Sequence, residues 1–223
     1  MFMSKESLKD IVYNYLFDCI VSYKLLPGEA IVEQEISNHL KISRTPVREA
    51  LKKLEAEGLV RHFPARGTFV EELTTQDVEE IFELRELFEV AAIKVSIHTI
   101  PIDEIKELER FISDLKYEES CSEDFYRSDR ILHNLIVEYG GNRRMVNFFN
   151  TINTQLERFR RISAMTPKRL EKSKQEHLQI IEAIKERDTE KAIAVLHVHL
   201  NNIEMNTLDV CQKVRVTHSY SRC

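Results

Sequence analysis

Apolar positions along this chain fall at helical spacing over most of its length, and the clearest departure lies between residues 59 and 70. Val47, Ala50, Leu51 and Leu54 recur three and four residues apart behind Ser43, a residue suited to cap a helix. Pro46 sits in the first turn, where its missing N–H does no harm, and Gly58 supplies the stop. Ahead of this helix, Glu33 to Leu40 predicts a short one with Ile36 and Leu40 inward, and Lys41-Ile42 makes the tight turn between them. After Gly58, Leu59-Val60-Arg61-His62-Phe63 alternates as a strand does. Pro64-Ala65-Arg66-Gly67 turns, and Thr68-Phe69-Val70 returns.

From Thr74 onward the period is helical throughout. Thr74 or Thr75 caps a helix with Val78, Ile81, Phe82, Phe88 and Ala92 on one stripe. Pro101-Ile102-Asp103 restarts a helix through Ile105, Leu108, Ile112 and Leu115. Further helices are predicted from about Glu123 to Tyr139, over 142–165 with Pro167 as the close, over 168–187 and over 189–210. Long amphipathic helices joined by short polar links predict an antiparallel bundle. The chain is therefore expected to be mainly α. It comprises a winged helix-turn-helix over 1–73, a helical bundle over 74–212, and an aperiodic tail, 213–223, expected to be disordered.

Charge sharpens the first of these elements. The protein is acidic overall, net −5, which excludes a bulk polyanion binder. Between residues 41 and 66, however, seven Lys and Arg face only Glu49, Glu55 and Glu57. Arg44 and Thr45 lead the predicted helix, and Arg48 and Lys52 project opposite Ala50 and Leu54. A cationic first turn with small hydroxyl residues suits entry into a major groove, where base edges and phosphates are read. Ser43, Arg44, Thr45 and Arg48 are the expected DNA contacts, with Arg66 and Gly67 at the tip of the wing and Gln34 as a lesser candidate.

Cys19, Cys121, Cys211 and Cys223 are scattered without metal-type pair spacing. No secretory leader and no membrane-length apolar run is evident, so a reducing cytoplasm is the expected home. Five glycines, three of them in the first domain, leave none for a phosphate-cradling loop.

In the bundle, four polar residues interrupt apolar stripes. Asp129 and His133 are i, i+4 on one helix, His177 lies in line with Ile181 and Ile184, and His199 lies in line with Ala192, Leu196 and Ile203. A carboxylate and three imidazoles aimed at one interior form a ligand set for a divalent transition metal. Separate hydrogen-bonded core histidines are the alternative. His197 points about 200° around its helix from His199 and is set aside. Arg85 lies between Phe82 and Phe88 and faces inward, needing either a core acid or the carboxylate of a ligand. Asn142 is expected at a helix end, and Arg158, Arg160 and Arg161 are expected on a solvated face, with one of them lining the cavity as the alternative.

The pattern Leu26-Pro27-Gly28-Glu29, Glu35-Ile36-Ser37-Asn38-His39-Leu40, Ser43 to Leu51, Gly58-Leu59-Val60 and Arg66 to Val70 resembles the winged helix of GntR-family bacterial regulators. Asp129-x-x-x-His133, Glu176-His177 with Ile180-Ile181-x-Ala183-Ile184, and His199-Leu200 resemble the effector domain of the FadR-type branch, the FCD domain. The resemblance implies a homodimeric transcriptional regulator, in most such cases a repressor, on a palindromic double-stranded DNA operator. It implies a metal on Asp129, His133, His177 and His199, zinc first with nickel or manganese as alternatives. It also implies a small carboxylate effector contacted by Arg85. A metal-dependent enzyme and a direct metal sensor use the same four residues and remain the competing readings.

Overall fold

The computed structural model describes residues 7–116, 122–164, 166 and 168–220; the predictions touching Cys121, Pro167 and Cys223 lie outside them. The chain divides into two compact units between Leu73 and Thr74.

The first unit holds α1 (Leu8–Val21), β1 (Ala30–Ile31), α2 (Glu33–Leu40), α3 (Arg44–Ala56), β2 (Val60–Phe63) and β3 (Gly67–Val70). Sequence reading located α2 and α3 but assigned no helix to α1. Helix α1 packs on α3: Val12, Leu16 and Ile20 join Val47, Ala50, Leu51, Leu54 and Leu59 in one core. Fully burying such side chains contributes roughly 1.5–3 kcal/mol each. Tyr13 ties the two helices at their margin, its hydroxyl donating to Glu57 at 2.6 Å. The turn between α2 and α3 needs a left-handed residue, and Lys41 takes it at φ 55°. The three strands lie in the order β1-β3-β2, all antiparallel, with Val60 opposite Val70 and Phe63 opposite Gly67.

The second unit holds α4 (Thr75–Thr99), α5 (Ile102–Asp114), α6 (Ser122–Tyr139), α7 (Arg143–Ala164), α8 (Arg169–Glu186) and α9 (Thr189–Tyr220). Thr74 and Asp77 form a reciprocal capping box at the start of α4. Asn142 accepts from the backbone of Arg144 and Met145, so it opens α7. Helix α4 packs against α6, α7 and α9, and α8 packs against α5 and α9. Helix ends are closed by side chains from neighbours: Arg187 donates to the Ile97 and Ile100 carbonyls, and Lys174 to those of Ser113 and Leu115. Gly140 permits the close passage of α6 by α4, because a Cβ there would lie 2.8 Å from that of Ala92.

One expectation is corrected. Helix α9 does not end near residue 210 but runs to Tyr220. No Gly or Pro occurs after Thr189, so nothing in the local sequence stops it.

Candidate metal centre and nucleic-acid interface

Asp129 and His133 sit one helical turn apart on α6, His177 comes from α8 and His199 from α9. All four are buried, and one ligand atom from each lies within 4.8 Å of the others. His199 Nε2 is 3.1 Å from His133 Nε2 and 3.2 Å from His177 Nε2. Asp129 Oδ1 is 3.5, 3.3 and 3.8 Å from the Nε2 atoms of His133, His177 and His199. The spacing predicted from sequence thus becomes one cluster built on three helices.

The outward nitrogens of His133 and His199 are held from behind. His133 Nδ1 meets Glu89 Oε2 of α4 at 2.5 Å, and His199 Nδ1 meets Glu176 Oε2 at 2.8 Å. Burial pushes the Glu89 carboxyl up, but His133 and Arg85 outweigh it and hold it below the usual range. Glu176 behaves likewise: burial raises it, and the hydrogen bonds from His199 and Arg169 bring it down to about 2. Both carboxylates are therefore ionised and accept, so the Nδ1 atoms of His133 and His199 donate and their Nε2 atoms offer lone pairs.

Those two lone pairs lie 3.1 Å apart. Burial, with the neighbouring imidazoles, lowers His199 to about 3, and burial also lowers His177. Burial pushes Asp129 up, yet Arg160, His133 and Arg85 outweigh it and keep it well below the carboxylate range. Three imidazole nitrogens and one carboxylate oxygen within 4.8 Å of one another, with one negative charge among them, call for a cation. Zinc–nitrogen bonds of about 2.0–2.1 Å place tetrahedral ligand atoms roughly 3.3–3.4 Å apart, so the donor set fits such an ion. His197, by contrast, pairs with Glu86 away from the cluster.

Arg85 faces inward, as its position on the stripe predicts. Its Nε donates to Glu89 at 2.7 Å, and its Nη2 lies 3.8 Å from Asp129 Oδ2. The reading of Arg158, Arg160 and Arg161 as a solvated face is overturned. Arg158 and Arg160 are buried, and Arg160 Nε donates to Asp129 Oδ2. The physical reason is that Asp129 presents Oδ1 to the cluster and needs a cation on its other oxygen. Beside the cluster lies a small cavity, partly open to solvent; its walls include Asp129, His177, Arg160, Arg169, Ser163 and Ser173. Arg85 is not among its lining residues.

In the first unit, Ser43 occupies the N-cap of α3 with extended backbone, and its hydroxyl makes no capping bond. Arg44, Thr45 and Arg48 are exposed beside it. Arg48 Nε donates to Glu33 of α2 at 2.8 Å, a surface ion pair of small energetic value. Gln34 is exposed and donates to Asn38. On the wing, the guanidinium of Arg66 lies 5.7 and 6.0 Å from the ring centres of Phe63 and Phe69. Gly67 takes φ 99°, a value that favours glycine.

Family comparison decides what this pairing of units is. The model for bacterial regulatory proteins of the gntR family matches residues 8–70, and that for the FCD domain matches residues 80–202. The chain belongs to the GntR family. It is a DNA-binding transcriptional regulator with an FCD domain, and the relatives it matches are transcriptional regulators rather than enzymes.

The regulator is 29% identical to the uncharacterized HTH-type transcriptional regulator YdhC of Bacillus subtilis over 85% of this chain and 86% of that one. It is 28% identical to the gluconate operon transcriptional repressor of the same species, over 86% and 81%. Its second unit is similar to the Zn2+-bound FCD domain of TM0439, with 26% identity, a TM-score of 0.52, and coverage of 61% of this chain and 95% of that domain.

Sequence reading found all four cluster residues of the regulator but missed Glu89 and Glu176 as their supports and Arg169 as a cavity residue, and it left a cavity position for Arg160 only as the alternative to a solvated face. A signal for Glu89 existed, since Arg85 and Glu89 are an i, i+4 pair of opposite charge within an otherwise apolar stripe.

Proposed function

We propose that this regulator is an operator-binding repressor whose affinity for DNA is tuned by a small carboxylate held at a divalent metal on Asp129, His133, His177 and His199. Zinc is the favoured ion. The observation that carries the reading is the convergence of three imidazole Nε2 atoms and one carboxylate oxygen beside a cavity that Asp129 and His177 share with two arginines. When bound, the metal supplies a Lewis-acid anchor for a carboxylate. The chain's own residues do the rest. Glu89 and Glu176 fix the tautomers of His133 and His199, Arg160 holds Asp129, and Arg85 supports the same carboxylate while remaining the candidate effector contact named from sequence.

DNA contact is proposed for Ser43, Arg44, Thr45 and Arg48 of α3, for Arg66 and Gly67 of the wing, and for Gln34. A homodimer reading two half-sites of a palindrome follows from the logic of such helices. The effector alters DNA affinity only if it binds the DNA-competent and incompetent states unequally. Titrating the DNA upstream of the regulator's own gene with metal-loaded and chelator-stripped protein tests this. Metal-dependent affinity supports the reading, and identical affinity in both states overturns it. A response to metal with none to any acid returns the direct-sensor alternative.

A further inference from the structure

Arg160 Nη2 on α7 and Arg169 Nε on α8 are buried and have no hydrogen-bond partner among the described residues. Each residue is only 5% exposed, and both line the cavity beside the cluster. An unpaired guanidinium N–H in such surroundings carries a substantial penalty unless an acceptor arrives. Arg169 already spends its other two nitrogens on Glu176, at 3.0 and 2.6 Å, and Arg160 spends its own on Asp129 and Glu157. What is left over points to a further anion.

The balance of interior charge gives the size of that anion. Glu89, Asp129, Glu157 and Glu176 face Arg85, Arg158, Arg160 and Arg169, four carboxylates against four guanidiniums, and an imidazole that ligates a metal does so in its neutral form. Arg161 and Glu123 add one charge of each sign at the rim. A divalent cation therefore leaves a surplus of two positive charges. A monocarboxylate removes half of it, and a dianion removes all of it.

We propose that the cavity takes a small dicarboxylate, with one carboxylate on the metal at the Asp129 and His177 end and the other on Arg160 Nη2 and Arg169 Nε. This rests on the metal–carboxylate reading of the site. Ser163 adds a donor to the cavity wall, because its hydroxyl oxygen accepts from Asn206 at 2.9 Å and its own proton remains to be given. Arg169 also links the second carboxylate to the metal, since it grips Glu176, which fixes His199.

The test uses full-length, zinc-loaded protein and three matched pairs of acids at constant ionic strength: acetate and malonate, propionate and succinate, lactate and malate. Each dicarboxylate differs from its partner only by the second carboxylate. Isothermal titration is expected to show at least one dicarboxylate binding about tenfold or more tightly than its partner, the scale of a charge-assisted bidentate contact. Arg169→Gln, with its zinc content measured, is expected to bring that ratio to within about twofold. If Arg169→Gln does not fold, Arg169→Lys replaces it, keeping the charge and losing Nε. Monoacids that bind while every pair differs by less than about tenfold overturn the dicarboxylate and leave the metal–carboxylate reading standing. No binding by any acid overturns both, and a discrimination that survives both variants removes Arg169 from the site.

Discussion

Glu89 of α4 meets the Nδ1 of His133 of α6 at 2.5 Å, across 44 positions of sequence and in full burial. The carboxylate sets the tautomer that turns His133 Nε2 toward Asp129, His177 and His199. Glu89→Gln keeps the shape and removes the charge. Outer-shell partners of this kind are worth about ten- to a hundredfold in metal affinity. Competition with a chromophoric chelator should show zinc affinity falling by that factor with helical content preserved. An unchanged affinity removes Glu89 from the site.

Loss of a ligand should be more severe. His177→Ala combined with His133→Ala leaves one carboxylate and one imidazole, and metal analysis after gel filtration should find the protein largely empty. The wild type should also melt later with zinc present, because a ligand at a hundred times its dissociation constant stabilises the folded state by about 2.7 kcal/mol. The double variant should show no such shift. Stoichiometric zinc in the double variant contradicts the assignment.

Acid should weaken the metal-free domain in a defined direction. Burial and the neighbouring imidazoles lower His199 to about 3, and burial lowers His177, while the unfolded chain keeps both near 6.5. Below 6.5 the unfolded state binds protons that the folded state does not, so stability falls as pH drops from there toward 3. Glu176, lowered to about 2 by His199 and Arg169 against burial, adds a loss in the same direction below its ordinary 4.5. Urea midpoints of chelator-treated protein should decline from pH 7 to pH 5, and zinc should flatten the decline. A midpoint that rises over this interval contradicts the neutral-histidine cluster.

Much of this was legible beforehand, and for identifiable reasons. The i, i+4 spacing of Asp129 and His133 survives any packing of α6, and a ligand on an apolar stripe announces its direction. Helix α3 was legible because its start, stop and inward face are all local. Helix α1 was not, since its buried residues, Val12, Leu16, Cys19, Ile20 and Val21, gain meaning only from the partner α3. The solvated-face reading of the α7 arginines failed for the opposite reason, and only its alternative, one of them at the cavity, held for Arg160. Clustered charge normally marks solvent, and Arg160 is buried because Asp129, 31 positions away, requires it there.

Packing at the end of α6 offers a test of the bundle itself. A methyl at Gly140 would come within 2.8 Å of Ala92 Cβ and 3.0 Å of its Cα, so α4 and α6 must separate. Gly140→Ala should cost about 1–3 kcal/mol, the range for overpacking a core. Thermal melting of the metal-free protein measures it; an unchanged midpoint means the two helices pass at greater distance.

The DNA-facing arginines should separate by salt dependence. Arg44→Ala and Arg48→Ala are each expected to weaken operator binding and, where the lost contact is to a phosphate, to lower the log–log salt slope by about 0.9. Titrations at several salt concentrations check both. Full affinity and an unaltered slope in both variants contradict the placement of α3 on DNA.

The most direct test of the whole account is a mobility-shift titration of upstream DNA with zinc-loaded protein, with and without the tightest-binding acid, beside the His133→Ala, His177→Ala protein. The account predicts that the acid changes wild-type DNA affinity by about tenfold or more, within the usual range of allosteric coupling, and leaves the variant's affinity unmoved. Equal sensitivity of both proteins to the acid, or indifference in both, contradicts it.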